Sequence, residues 1–102
     1  MDIQVETLGN RQIVHINDKI TVEHCPALEN RLASLHREKV QEVVFDFKNV
    51  PFLDSSGVEL LVRFIKRLRD ENTDFEVINP NGRVRDLFRL YRLETFMKLR
   101  EE

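Results

Sequence analysis

Two short runs of alternating residues open the chain, Ile3 to Leu8 and Gln12 to Ile16. The turn pair Gly9-Asn10 stands between them, a pattern that predicts a β-hairpin. Leu28, Leu32 and Leu35 then recur at helical spacing behind Pro26, which suits a first helical position, so a helix is expected over about 26–38. In "EVVFDF" Val43, Phe45 and Phe47 fall on one face and Val44 on the other, as in a central strand covered on both sides. From Val58 the apolar positions 58, 61, 62, 65 and 68 form a helical stripe, widened by Leu60 and Phe64 and bordered by Arg63, Lys66, Arg67 and Arg69. "DFEVIN" reads as another strand and Pro80-Asn81-Gly82 as a turn. "RVRDLFRLYRL" reads as a helix with Val84, Leu87, Phe88 and Tyr91 on one side, and "ETFMKLREE" as a short closing strand. The order β-β-α-β-α-β-α-β predicts one α/β domain. Its later strands pair in parallel through right-handed crossovers, and its opening hairpin adds an antiparallel pair, so the sheet is mixed.

Composition narrows the picture without changing it. A chain of 102 residues, 41% apolar and 33% charged, can bury a core and has no disordered bias. A net charge of -2 gives no general reason to expect nucleic acid or a membrane surface as partner. Residues 83–102 are mildly basic, which suits a solvated helix surface. Cys25 is the single cysteine, so no internal disulfide can form. No basic stretch followed by an apolar run opens the chain, and no long apolar segment occurs. The expectation is a cytoplasmic, soluble domain.

The chemistry-bearing stretch is "FLDSSGVELL", between the central strand and the most amphipathic helix. Ser56 precedes Glu59 by three residues at the start of an apolar helix, the capping-box spacing, which would make Ser56 an N-cap. Asp54 and Ser55 would then shape the turn, and Gly57 would relieve crowding. The same placement suits modification, because a phosphate on Ser56 would add about -1.5 to -2 charge at a helix start beyond a strand's C-terminal end. A serine nucleophile fits less well: glycine stands on only one side of the serine pair, and His15, His24 and His36 are spread over a strand, a loop and a helix. His24 and Cys25 are adjacent and lack metal-ligand spacing. No glycine-rich phosphate loop is present.

With those residues in view, "VVFDFKNVPFLDSSGVELLVRFIKRLR" resembles the signature of STAS domains, and specifically of bacterial anti-sigma factor antagonists. "VINPNGRVRDLFRLYRLETF" is similar to that family's later pattern. The resemblance implies a mixed sheet of four to five strands packed by about three to four helices, over residues 1–102 as one domain without catalysis of its own. It implies that a serine-kinase anti-sigma factor of the GHKL type phosphorylates Ser56, ATP and magnesium belonging to that kinase, and that a PP2C-type phosphatase resets it. Asp54, Ser55 and Gly57 would form the phosphorylation loop. Thr21, Val58, Glu59 and Leu60 would belong to the partner-binding face, and the free protein is expected to be a monomer. Thr21 stands where many relatives carry an acid, and Arg92 where a glycine is frequent. The alternative is a non-catalytic STAS adaptor that binds protein or nucleotide without a sigma-factor output.

Overall fold

The computed structural model of the chain describes residues 1–35 and 39–100. Strands β1 (Ile3–Leu8) and β2 (Arg11–Ile16) form the opening hairpin, with Gly9 at φ 63° in the turn, a conformation that glycine adopts at little cost. β3 (Glu42–Asp46), β4 (Asp74–Ile78) and β5 (Lys98–Arg100) follow in sequence order across the sheet. The β1–β2 pair is antiparallel, and β2–β3, β3–β4 and β4–β5 are parallel. The connections are α1 (Cys25–Ala33), α2 (Ser55–Asp70) and α3 (Gly82–Leu90), the last followed by one 3-10 turn over Leu93–Thr95. The element order and the mixed, five-stranded sheet are those expected from the sequence.

Register explains where the core lies. Val5, Val14, Phe45, Val77 and Leu99 are paired in one row across all five strands. Side chains along a strand alternate between faces, so the neighbouring row, Gln4, His15, Asp46, Ile78 and Arg100, points the other way. The first row joins Leu28 and Leu32 of α1, Leu61, Phe64 and Ile65 of α2, and Val84 and Phe88 of α3 in a single hydrophobic cluster. Phe45 is its centre, edge-on to Phe75 at 4.9 Å and stacked on Phe64 at 5.4 Å. Strands added in one direction by right-handed crossovers place all their connecting helices on the same face.

Three expectations are corrected. β3 is central, but only its Val43–Phe45 face meets helices; Val44, fully buried, and Ile78 stand outside the main cluster. The ion pair Arg100–Glu76, 2.7 Å, and the His15 contacts with Glu6 and Asp46 lie on that second face. An apolar residue on an uncovered face is thus sheltered by its sheet neighbours, a case that alternation alone does not distinguish from coverage by a helix. The first helix ends at Ala33 with Ser34 as its C-cap, and Leu35 is already outside it, whereas the sequence pattern suggested continuation to 38. Its expected last turn, with His36, lies outside the described residues. The third helix likewise stops at Leu90, before Arg92 in the left-handed region at φ 56°.

Candidate functional site

The "DSSG" stretch sits at the C-terminal ends of the parallel strands, where the chain leaving β3 turns into α2. Asp54, not Ser56, is the N-cap: it is extended at φ -94°, and its Oδ1 accepts the Gly57 N–H at 3.0 Å. The Val58 N–H donates to the Asp54 carbonyl at 3.0 Å, the first intrahelical bond. Aspartate serves as well as serine in this position, and a cap three residues ahead of Gly57 leaves Ser55 and Ser56 as the first two helical residues. The capping-box reading of Ser56 and Glu59 is therefore overturned.

The second Asp54 oxygen, Oδ2, accepts the Val22 N–H at 3.0 Å, which ties the loop before α1 to the start of α2. That loop is stitched on by the backbone as well. Ile20 and Leu53 form a parallel bridge, the Ile20 N–H donates to the Phe52 carbonyl at 3.1 Å, and the Asp54 N–H donates to the Ile20 carbonyl at 3.1 Å. Gly57 permits this approach: a Cβ there would stand 2.5 Å from the Ile20 carbonyl oxygen and 3.1 Å from the Leu53 Cβ. The Gly57 N–H, ahead of the opposing effect of burial and then the Val22 N–H, holds the Asp54 carboxyl below its usual range.

The remaining site residues divide by exposure. Ser55 and Glu59 are exposed, and Ser56 and Thr21 are half-buried. Val58 and Leu60 are 1% and 2% exposed and pack into the core. Leu60 and Phe64 nonetheless floor a groove of about 390 Å³ between α1 and α2, edged by Glu29, Arg63 and Arg67. Glu29 and Arg63 form an ion pair across it. Thr21 lies in the loop pinned to Asp54, with its Oγ1 against the His24 Nδ1 at 2.8 Å. The His24 Nε2 faces Asp18 at 3.6 Å, and both ring nitrogens of His15 face carboxylates, so each of these two imidazoles is engaged away from Ser56. Burial raises the Cys25 thiol above its usual pKa, with Asp54 and Glu29 adding to the effect, which keeps it a thiol rather than a thiolate.

Two elements of the site were not read from the sequence. Asn81 caps α3, its Oδ1 accepting the Val84 N–H at 2.8 Å, while its Nδ2 donates to the Pro51 carbonyl at 3.0 Å and so fastens the start of α3 to the segment entering "DSSG". Two cations lie over the Phe52 ring, the Arg83 guanidinium at 5.3 Å and the Lys19 ammonium at 6.0 Å from its centre. The signal for the first was present, since asparagine followed by a helical stripe is a cap pattern. The second depends on three segments meeting and has no local signature.

Comparison with known proteins agrees with this architecture over nearly the whole chain. The model of the STAS domain matches residues 2–102. The anti-sigma-B factor antagonist of Staphylococcus aureus is 23% identical over 99% of this chain and 95% of its own length. The crystal structure of an anti-sigma factor antagonist from Mycobacterium paratuberculosis superposes with a TM-score of 0.85 at 24% identity, covering 97% of this chain and 84% of that one. The anti-sigma factor antagonist SpoIIAA in its unphosphorylated form gives a TM-score of 0.79 at 19% identity, covering 96% and 87%. The phosphorylated form of this Bacillus cell fate determinant gives 0.73 at 18%, covering 96% and 90%. Among the described residues no helix is long and apolar enough to cross a membrane. The chain belongs to the STAS domain family and is distantly related, over its full length, to anti-sigma factor antagonists.

Proposed function

We propose that this protein is a phosphorylation-switched anti-sigma factor antagonist in which Ser56 is the acceptor. The observation that carries the reading is the construction of the α2 start: two serines in a first helical turn, held between an aspartate cap and a closely packed glycine. Ser56 is not needed as a cap there, so its hydroxyl is available for chemistry without loss of the helix. The likeness to an antagonist described in both unphosphorylated and phosphorylated forms supports the same reading.

The electrostatics say how such a switch would work. Asp54 already places a carboxylate on the free N–H groups at the start of α2. A phosphate on Ser56 would be a second anion at an occupied helix end. It would find little compensation within the domain and would be presented to whatever partner lies on it. A serine-kinase anti-sigma factor that accepts the neutral hydroxyl would be repelled by the dianion, and a PP2C-type phosphatase would restore binding. Glu59, Thr21 and the α1–α2 groove flank the serines on the face such a partner would cover.

The test is the intact mass of the full chain after incubation with ATP, magnesium and each serine-kinase anti-sigma factor of the source organism. One phosphate increment that persists in Ser55→Ala and vanishes in Ser56→Ala is the expected result. No increment with any kinase would overturn the proposal and favour a STAS adaptor. Ser56→Asp is expected to weaken kinase binding about tenfold or more, because unfavourable charge across an interface costs several kcal/mol.

A further inference from the structure

The sheet face that carries no helix among the described residues holds a histidine placed between two carboxylates. His15 Nε2 lies 2.6 Å from Glu6 Oε1 on β1, and Nδ1 lies 2.9 Å from Asp46 Oδ2 at the end of β3. Ionised carboxylates only accept hydrogen bonds. Both ring nitrogens must therefore donate, and only the imidazolium has a proton on each. The neutral ring would turn one lone pair toward a carboxylate oxygen. His15 is partly shielded, with 23% of its side chain exposed, and the Asp46 side chain is 6% exposed, so water screens this contact poorly.

Asp46 passes the contact on. Its Oδ1 accepts the Lys48 N–H at 3.1 Å and the Asn79 amide at 3.4 Å, the residues through which the chain leaves β3 and β4. The segment leaving β3 runs directly to Asp54 and the serine pair, and Asn79 stands two residues before the cap of α3. We propose that His15 is a proton-dependent tie that joins β1, β2 and β3 and, through Asp46, fixes the root of the segment carrying "DSSG". The inference is independent of which serine, if any, is phosphorylated.

The groups around the ring set the direction. From β1 it faces Glu6, beside the uncharged Gln4, and from β3 it faces Asp46. On β4 the nearby acid, Glu76, is paired with Arg100 of β5 at 2.7 Å. The Glu6 contact raises the His15 pKa most; burial opposes it, and Asp46 adds to the rise. The folded state thus favours the charged ring. The tie is complete below the ordinary histidine value of 6.5 and is lost as pH rises through the higher folded value.

Nitrogen-15 NMR of the full chain, labelled on histidine rings and backbone amides, tests this. The expected result is a His15 ring whose midpoint lies above that of free histidine, with both nitrogens protonated below that midpoint. Glu6→Gln, an exposed change on an edge strand, should lower the midpoint. At a pH between the two midpoints the Lys48 amide should exchange faster with solvent in Glu6→Gln than in the parent. A His15 midpoint at or below the free value, or one unmoved by Glu6→Gln, would overturn the tie. A midpoint that moves while Lys48 exchange stays the same would overturn the coupling to the loop. Neither outcome depends on kinase or phosphate, so failure here leaves the Ser56 reading untouched.

Discussion

At the start of α2 an aspartate caps a first turn that contains a glycine, and at the start of α3 an asparagine does the same. Both caps bond the third N–H of their helix, at 3.0 Å from Gly57 and 2.8 Å from Val84. Both reach a neighbouring segment too, Asp54 to the Val22 N–H and Asn81 to the Pro51 carbonyl. The surroundings differ. An added Cβ on Gly57 would meet the Ile20 carbonyl oxygen at 2.5 Å, while one on Gly82 would meet nothing within 4 Å. The helix ends repeat the contrast: α2 is followed by Asn72 at φ 55° and α3 by Arg92 at φ 56°, the same left-handed step taken by a residue that suits it and one that does not. Two helices of one design have thus been fitted differently. The start of α2 is locked against another backbone, while that of α3 is held by side chains, its Asn81 cap and Arg83 over Phe52.

Substitution of the two glycines should separate them most clearly. Gly57→Ala forces the loop at Ile20 away from α2 and should cost ~1–3 kcal/mol, as overpacking against backbone does. Gly82→Ala should leave stability unchanged or raise it by no more than about 1 kcal/mol through better helix propensity. Urea unfolding of the two variants measures the difference, and equal effects would break the comparison.

The caps come next. Asp54→Asn keeps an oxygen for Gly57 but offers Val22 an amide where it had an acceptor, so both the tie and the charge are lost. The folded Asp54 pKa lies below the ordinary aspartate value of 3.8, so its contribution is present above that value and lost as pH falls through the folded one. Thermal melts of Asp54→Asn should therefore show a flatter acid limb than the parent. Asn81→Ala should cost about 1 kcal/mol with no change in pH dependence, because asparagine carries no charge. The smallest effect is expected at the other end of α3, where Arg92→Gly relieves left-handed strain and should gain up to about 1 kcal/mol in the same melts.

Much of this could be read from the sequence because it is local. The hairpin, the strands and the apolar faces of α2 and α3 follow from residue periods and turn chemistry, and the match of "DSSG" to its surroundings pointed to the family. What escaped was decided between segments. Asp54 and Ser56 are equally good caps on paper, and the choice falls to Asp54 where the carboxylate can also reach Val22 and Gly57 can lie on Ile20. Val44 suggested a second covering layer because an apolar residue on the far face of a strand does not reveal what shelters it. His15 was read as an ordinary strand histidine, since Glu6 and Asp46 lie 9 and 31 residues away in the chain and meet it only in the folded sheet.

The order of the strands carries a consequence for how the molecule is made. β1 to β5 stand side by side in the order in which they are synthesised, so no strand has to be inserted between two already in place. Each new β-α-β unit docks on an edge that the previous one has just completed, and the loop to be closed is short at every step. The outer edge of β1 stays open throughout, and growth takes place at the opposite edge, which the next segment off the ribosome fills. The last to arrive is β5, three residues long and rich in positive charge, a narrow and charged border that invites no further strand.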